Sequence, residues 1–402
     1  MGATVIPFTV ILLNMGVYYC FCLSCMTPSG RPVDWFMMYK VPRSTHSMPI
    51  KTTGEEFYYL DSDRPVFSFN NVSIQKEHGN PLFKTLQQIY GGKSRQYAMY
   101  NDERPPSTGC TIKQLANRTC QGTLGAHMKG AYAFDDKSGF WLILSVPKFP
   151  APKKHGYSYG KEQISKGQTV LCVTLHSEDL TENGQVQTGI GLFYLTKIIS
   201  RNFMNHFLVN FSCRTVDLWG KLGISCTYEL IFFISERVFN LTKPMFYDGN
   251  GPTMKTSDLH NTTSSIDIPF ISKGGQKFRS FAKSAYFGKD LYDSLVAVNL
   301  RDDLFVETWY PNLPSNCSTT YKVQNVKTVG FDNGYSFPAT IDHAKWAVTK
   351  GSPWICIGDI NRNKSQFKRG GGTMCLSHEG VSNQFRKLVK DYQNCSRARD
   401  GD

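Results

Sequence analysis

The chain has 402 residues, enough for two domains or one large two-lobed unit, and carries a formal charge of +13 at pH 7. Beyond its N-terminal stretch, no uninterrupted apolar run approaches the roughly 20 residues of a membrane helix, which excludes a multispan membrane protein. The charge is spread rather than run together, with modest clusters at Lys153-Lys154 and from Arg362 to Arg369. It suits a broad basic groove for nucleic acid, a glycosaminoglycan or an anionic surface, and does not choose among them.

The first thirty residues hold no charged side chain, and Ala3 to Leu23 are largely apolar with breaks at Pro7 and Asn14. This reads as a secretory signal over residues 1–24, with a type II anchor as the rival, since the usual basic n-region is missing. The mature chain is then basic and has no transmembrane anchor. Strands are expected at Val33–Val41, Gln96–Tyr100, Trp141–Val146, Val170–Leu175, Ile190–Leu195, Leu304–Trp309 and Trp354–Ile357, runs rich in aromatic or β-branched residues bounded by Pro, Gly or Asn. Helices are expected at Pro81–Tyr90, Lys277–Tyr286 and Ser382–Tyr392. The mixture predicts an α/β or α+β architecture. Between Asn240 and Asp267 the composition turns to Gly, Pro, Ser, Thr and Asn, which places a division between halves 25–245 and 246–402.

Eight N-x-S/T sequons fit a secretory route: Asn71, Asn117, Asn210, Asn240, Asn261, Asn316, Asn363 and Asn394. Cys20 and Cys22 fall within the leader, leaving ten cysteines and hence five expected disulfides. None has the spacing of a zinc site, and no metal or other cofactor is expected.

The chemistry-bearing feature is a tripeptide used twice, His127-Met128-Lys129 and His343-Ala344-Lys345. On an extended strand, residues i and i+2 share a face, so an imidazole and an ammonium can meet one phosphate. One H-x-K alone is weak evidence. The flanks strengthen it: Lys137-Ser-Gly-Phe-Trp141 and Lys350-Gly-Ser-Pro-Trp354 repeat a turn, a tryptophan and a short apolar strand. Each half holds one copy.

Several segments resemble the deoxyribonuclease II family. They are Pro32-Val-Asp-Trp-Phe-Met-Met-Tyr-Lys40, His127-Met-Lys-Gly130, Ser145-Val-Pro-Lys-Phe-Pro150, Phe287-Gly-Lys-Asp-Leu-Tyr292, Asp342-His-Ala-Lys-Trp346, Gly358-Asp-Ile-Asn-Arg-Asn363 and Gly370-Gly-Gly-Thr-Met-Cys375. The resemblance runs from about Cys25 to Cys395. It implies a pseudo-dimer of two phospholipase D-like halves, each a mixed β-sheet flanked by helices, sharing one active-site cleft. It also implies a metal-independent acid endonuclease acting on double-stranded DNA without sequence preference, leaving 3′-phosphate and 5′-hydroxyl ends. Such an enzyme degrades DNA of dead, engulfed or ingested material, and belongs in the lysosome or outside the cell.

Carried over by residue, His127 and His343 are the nucleophile and acid, and Lys129 and Lys345 clamp the phosphate. Asn361 stands where the superfamily has a substrate-binding asparagine. Aligning Trp141 with Trp354 makes Lys148 its first-half counterpart, a departure from the family's asparagine that adds a cation. The aspartate closing the superfamily's longer motif is missing at Phe134, and Asp135, one residue on, receives no catalytic role. The resemblance implies disulfides Cys25–Cys172, Cys317–Cys395 and Cys356–Cys375. Cys110/Cys120 and Cys213/Cys226 remain as local pairs. The alternative reading is a secreted DNA-binding or host-interaction protein of the same fold with little turnover; two intact H-x-K motifs argue against it.

Overall fold

Two large sheets organise the chain. The computed structural model describes residues 22–44, 50–105, 125–176, 178–180, 213–218, 221–228, 230–250, 263–309 and 311–395, with backbone alone for those at 178–180 and 213–233. The first sheet has eight strands, in spatial order Phe246–Gly249, Gln96–Asn101, Lys129–Phe134, Ser138–Leu144, Gln168–His176, Trp35–Lys40, Phe57–Asp61 and Ser68–Asn70. Every neighbour in it is antiparallel. The second has nine strands and runs Ser265–Ile271, Lys277–Lys283, Gly371–Ser377, Trp354–Gly358, Lys345–Thr349, Leu304–Thr308, Val323–Gly330, Ser336–Pro338, with Val389–Tyr392 also paired to Val323–Gly330. Leu304–Thr308 and Val323–Gly330 pair in parallel. The α/β expectation holds, with antiparallel sheets and few helices.

Strand alternation sorts the side chains into three cores. Met128, Tyr132 and Phe134 of the first sheet join Trp346, Val348 and Ile357 of the second in one core, together with Val238 and Phe239 of helix Leu230–Thr242 and Phe385 of helix Glu379–Leu388. The opposite face of the first sheet buries Ala131, Ala133 and Leu142 against Leu82, Leu86 and Ile89 of helix Pro81–Tyr90. The opposite face of the second buries Val306 and Ala347 against Tyr292, Val296 and Leu300. The Pro81–Tyr90 helix begins where its sequence predicts: Asn80 caps the amides of Leu82 (3.0 Å) and Phe83 (3.3 Å), and Pro81 needs no donor in the first turn.

Lys277–Tyr286, expected as a helix, is instead the strand Lys277–Lys283 followed by a short turn at Ala285–Phe287. Phe278, Phe281 and Ala282 do match helical spacing. The strand buries both of its faces, however, with Phe278 and Ala282 in the core between the sheets and Phe281 in the outer one. Ladders on both sides then override the local pattern. The last helix spans Glu379–Leu388, and Val389–Tyr392 leaves it to pair with Val323–Gly330. Phe246–Gly249 pairs with Gln96–Asn101 and so belongs to the first sheet. The Ile190–Leu195 strand and residues 1–21 of the leader lie outside the described residues. Leu23 is buried, and its backbone bonds the Asp135 carboxylate and the Ser138 hydroxyl.

Disulfides Cys25–Cys172, Cys317–Cys395 and Cys356–Cys375 are formed. The backbone sets Cys213 directly opposite Cys226; Cys110 and Cys120 are outside the described residues. Among the sequons, Asn71 and Asn394 are exposed, and Asn240, Asn316 and Asn363 are partly exposed. Asn117, Asn210 and Asn261 fall outside the described residues. No described helix is long and apolar enough to cross a membrane.

Candidate active site

His127 and His343 each lie two residues ahead of the start of a strand, at Lys129 and Lys345 respectively. The intervening Met128 and Ala344 are buried in the core between the sheets. Each motif hangs on the opposite half. The His127 amide donates to the Gly370 carbonyl (2.7 Å), and the His343 amide donates to the Gly167 carbonyl (2.8 Å). The Lys129 amide donates to Asp359 Oδ1 (3.1 Å), and the Lys345 amide to Thr169 Oγ1 (3.3 Å). One site thus needs both halves.

Around these pairs the first half supplies Asp102, which follows the strand Gln96–Asn101. Its carboxylate lies 2.5 Å from Lys129 Nζ, 3.1 Å from Arg369 Nη2 and 3.7 Å from His127 Nε2. The second half has an aromatic contact instead: the Trp309 ring meets His343 edge-on, with centroids 4.2 Å apart. Among the described residues, His127 Nδ1, His343 Nε2 and Asn361 Oδ1 are buried with no hydrogen-bond partner.

Burial would raise the Asp102 carboxyl, but the Lys129 ammonium, with His127 and Arg369, holds it below the usual carboxylate range. His127 is lowered well below an ordinary imidazole, by burial first and then by Lys129, against the pull of Asp102. His343 is lowered likewise by burial and by Lys345, Lys166 and Lys129. Burial, reinforced by Lys129, brings Lys345 down to about 7. Burial also raises Asp359 to about 8, Asp342 to about 6, and Glu307 well above the normal range. Burial and the neighbouring cations favour neutral histidines. A phosphodiester anion would offset those cations and favour a protonated imidazole.

Asn361 is buried, in the loop bracketed by the Cys356–Cys375 bridge. Lys148 is not its counterpart. Tyr132 pairs with Trp141 and Trp346 with Ile357, a register in which Trp141 corresponds to Ile355. Trp141 is in the core between the sheets, whereas Trp354 packs against the outer face of the second. The one-residue slip turns the two tryptophans to opposite faces, so their shared spacing from a lysine is no structural equivalence. Lys148 itself is exposed, with φ at 58°, and no hydrogen bond or ion pair among the described residues joins it to the histidines. Asp135 holds a turn, accepting from the amides of Lys137 and Ser138.

Sequence reasoning missed Asp102, Asp359, Glu307 and the site role of Arg369. Asp359 and Asp342 stood inside quoted segments without being singled out. Asp102 lies 25 residues before His127 and carried no signal. The basic cluster from Arg362 to Arg369 also divides: Arg362 is buried in an ion pair with Asp290 (2.8 Å), while Arg369 faces the site. Among the described residues, no group of three or more His, Cys, Asp or Glu is arranged to hold a metal ion.

Asp102→Asn would leave Lys129 and Arg369 facing each other with no counter-charge. Breaking a buried pair this way typically costs ~3–5 kcal/mol, so the variant is expected to unfold at clearly lower denaturant concentration at pH 5. An unchanged midpoint would show that the pair contributes nothing.

The deoxyribonuclease II family model matches residues 24–395. Curated relatives include deoxyribonuclease-2-alpha of Rattus norvegicus, 34% identical over 93% of this chain and 95% of its own length. Plancitoxin-1 of Acanthaster planci is 33% identical over 93% of each chain. Deoxyribonuclease-2 of Caenorhabditis elegans is 30% identical over 96% of this chain and 98% of its own. With its two histidine–lysine pairs in one site, the chain belongs to the deoxyribonuclease II family.

Proposed function

We propose that the protein is an acid endodeoxyribonuclease that cuts DNA by a two-histidine mechanism without a metal ion. In the first step a neutral imidazole attacks phosphorus and becomes phosphorylated, while the second imidazole, protonated, donates to the departing 5′ oxygen. In the second step that imidazole, now neutral, takes a proton from water. The hydroxyl attacks phosphorus, the first imidazole leaves, and a 3′-phosphate is released. Lys129, Lys345 and Arg369 balance the charge of the pentacoordinate phosphate, and Asn361 hydrogen-bonds its oxygens. The observation that carries this reading is the crossed suspension of both His–Lys pairs on the opposite halves. The same crossing favours a pseudo-dimer of two related halves, and an assembled constellation favours turnover over passive DNA binding. The expected signal, the sequons and the disulfides support lysosomal or extracellular delivery.

Plasmid cleavage at acid pH, with and without chelator, tests the proposal when the ends are typed. The nicks should form equally in chelator and resist polymerase extension until a phosphatase removes the 3′-phosphate. Metal dependence, or ends carrying a 5′-phosphate, would overturn it.

A further inference from the structure

Two lysines outside the His–Lys pairs are fully buried and built alike. Lys40 ends the strand Trp35–Lys40, and Lys283 ends Lys277–Lys283. Lys40 Nζ donates to the carbonyls of Gln163 (2.9 Å), Ile164 (3.1 Å) and Lys166. Lys283 Nζ donates to those of Gln366 (2.8 Å), Phe367 (3.3 Å) and Arg369 (2.6 Å). Both cages take acceptors at i, i+1 and i+3 of a short 3₁₀ turn, Lys161–Ser165 or Lys364–Lys368, and its exit.

The next residue in each case is a glycine, Gly167 or Gly370. Their carbonyls are the ones that hold the amides of His343 and His127. A Cβ on Gly167 would come 2.3 Å from Asp342 Oδ1, and one on Gly370 would come 2.1 Å from the Thr242 carbonyl oxygen. Both turns are therefore pressed against their neighbours, and their placement transmits directly to a histidine. A buried ammonium is costly to desolvate, and an apolar chain of similar length would fill the same space. One chain uses the costly device twice, each time one residue from a histidine's backbone anchor.

We propose that Lys40 and Lys283 are positioning residues, each ammonium clamping the turn whose glycine carbonyl holds the histidine of the opposite half: Lys40 sets His343, and Lys283 sets His127. Their effect on catalysis rests on the reading of these histidines as the reacting pair. Burial lowers Lys40 to about 7, opposed by Asp342 and Glu56. It lowers Lys283 to about 8, opposed by Asp290 and assisted by Arg369. Both clamps are charged in acid and released as pH rises through those values, in step with an acid enzyme.

The test measures amide hydrogen exchange and steady-state cleavage of plasmid DNA for full-length Lys40→Met and Lys283→Met. Lys40→Met should speed exchange at the His343 amide ~10-fold and leave His127 alone; Lys283→Met should do the reverse. Turnover should fall ~10-fold in each, with KM for DNA held within about twofold, because misplacing a reacting group is felt in the transition state. Equal opening of both amides, or no opening, would reduce the lysines to space-filling and overturn the proposal. Should a variant fail to fold, the wild-type protein decides. Protection of these two amides, relative to a central-strand amide such as Leu142, must fall between about pH 6 and 9; a flat profile overturns the proposal. Activity retained by His127→Ala or His343→Ala would refute the two-histidine reading while leaving the exchange result to stand for itself.

Discussion

Replacing either His127 or His343 with alanine is expected to remove nearly all cleavage from a folded protein. One imidazole cannot attack phosphorus and protonate the leaving group in the same step. Loss of a general acid or base typically costs ~10²–10⁴-fold, and loss of a nucleophile more. The lysines cannot substitute. Lys129 is tied to Asp102, and Lys345 Nζ donates to the His343 carbonyl. Circular dichroism and denaturant unfolding would establish that the variants fold, and turnover at saturating plasmid would give the effect. Either variant keeping more than about a tenth of the wild-type rate would sink the mechanism. A substrate with a nitrophenolate leaving group separates the two roles, because that group departs without a proton. It should partly rescue the variant lacking the donor and leave the variant lacking the nucleophile inactive.

Activity is also expected to collapse as pH rises from about 5 to 8, and the groups around the histidines give the sign. Asp342 and Asp359, raised to about 6 and about 8, are uncharged in acid and become anions as pH rises. Lys345, lowered to about 7, is a cation in acid and loses its charge over the same interval. Alkali therefore adds negative charge and removes positive charge at the place a phosphate must occupy. Burial and the neighbouring cations already disfavour the imidazolium in the free protein, so the donor histidine holds its proton only beside a bound phosphate anion, which the same changes in charge make harder to bind. These effects act together, and turnover should fall by ~10²-fold or more across the window. Weakened grip on DNA by the rest of the basic surface is a separate cause. It depends on salt, with log affinity falling ~0.9 per phosphate neutralised. The comparison is turnover at saturating DNA, in chelator, at two salt concentrations. Asp359→Asn preserves an acceptor for the Lys129 amide and removes the titrating charge, so its alkaline limb should move to higher pH. A limb that stayed in place would remove Asp359 from the account, and a neutral or alkaline optimum would remove the account altogether.

How far the chain could be read without coordinates varies by residue. Pro81–Tyr90 was legible because periodicity is a local property of a few neighbouring residues. Lys277–Lys283 was not, since its helical spacing was overruled by ladders to strands on both sides. The two H-x-K motifs announced the chemistry because an i, i+2 spacing carries its own geometry along an extended backbone. The resemblance named their family and the three bridges now seen, since ordered motifs persist along a chain. It could not report that Trp141 and Trp354 face opposite sides of their sheets, because register belongs to a pair of strands. That one-residue slip is what separates Lys148 from Asn361.

The sequence by itself determined the two His–Lys pairs and the family. Only the tertiary structure decided which charges surround those pairs. Asp102, Asp359, Arg369 and the cages of Lys40 and Lys283 come together across tens to hundreds of residues. Electrostatic energy depends on distance and burial in three dimensions, and neither is written in linear spacing.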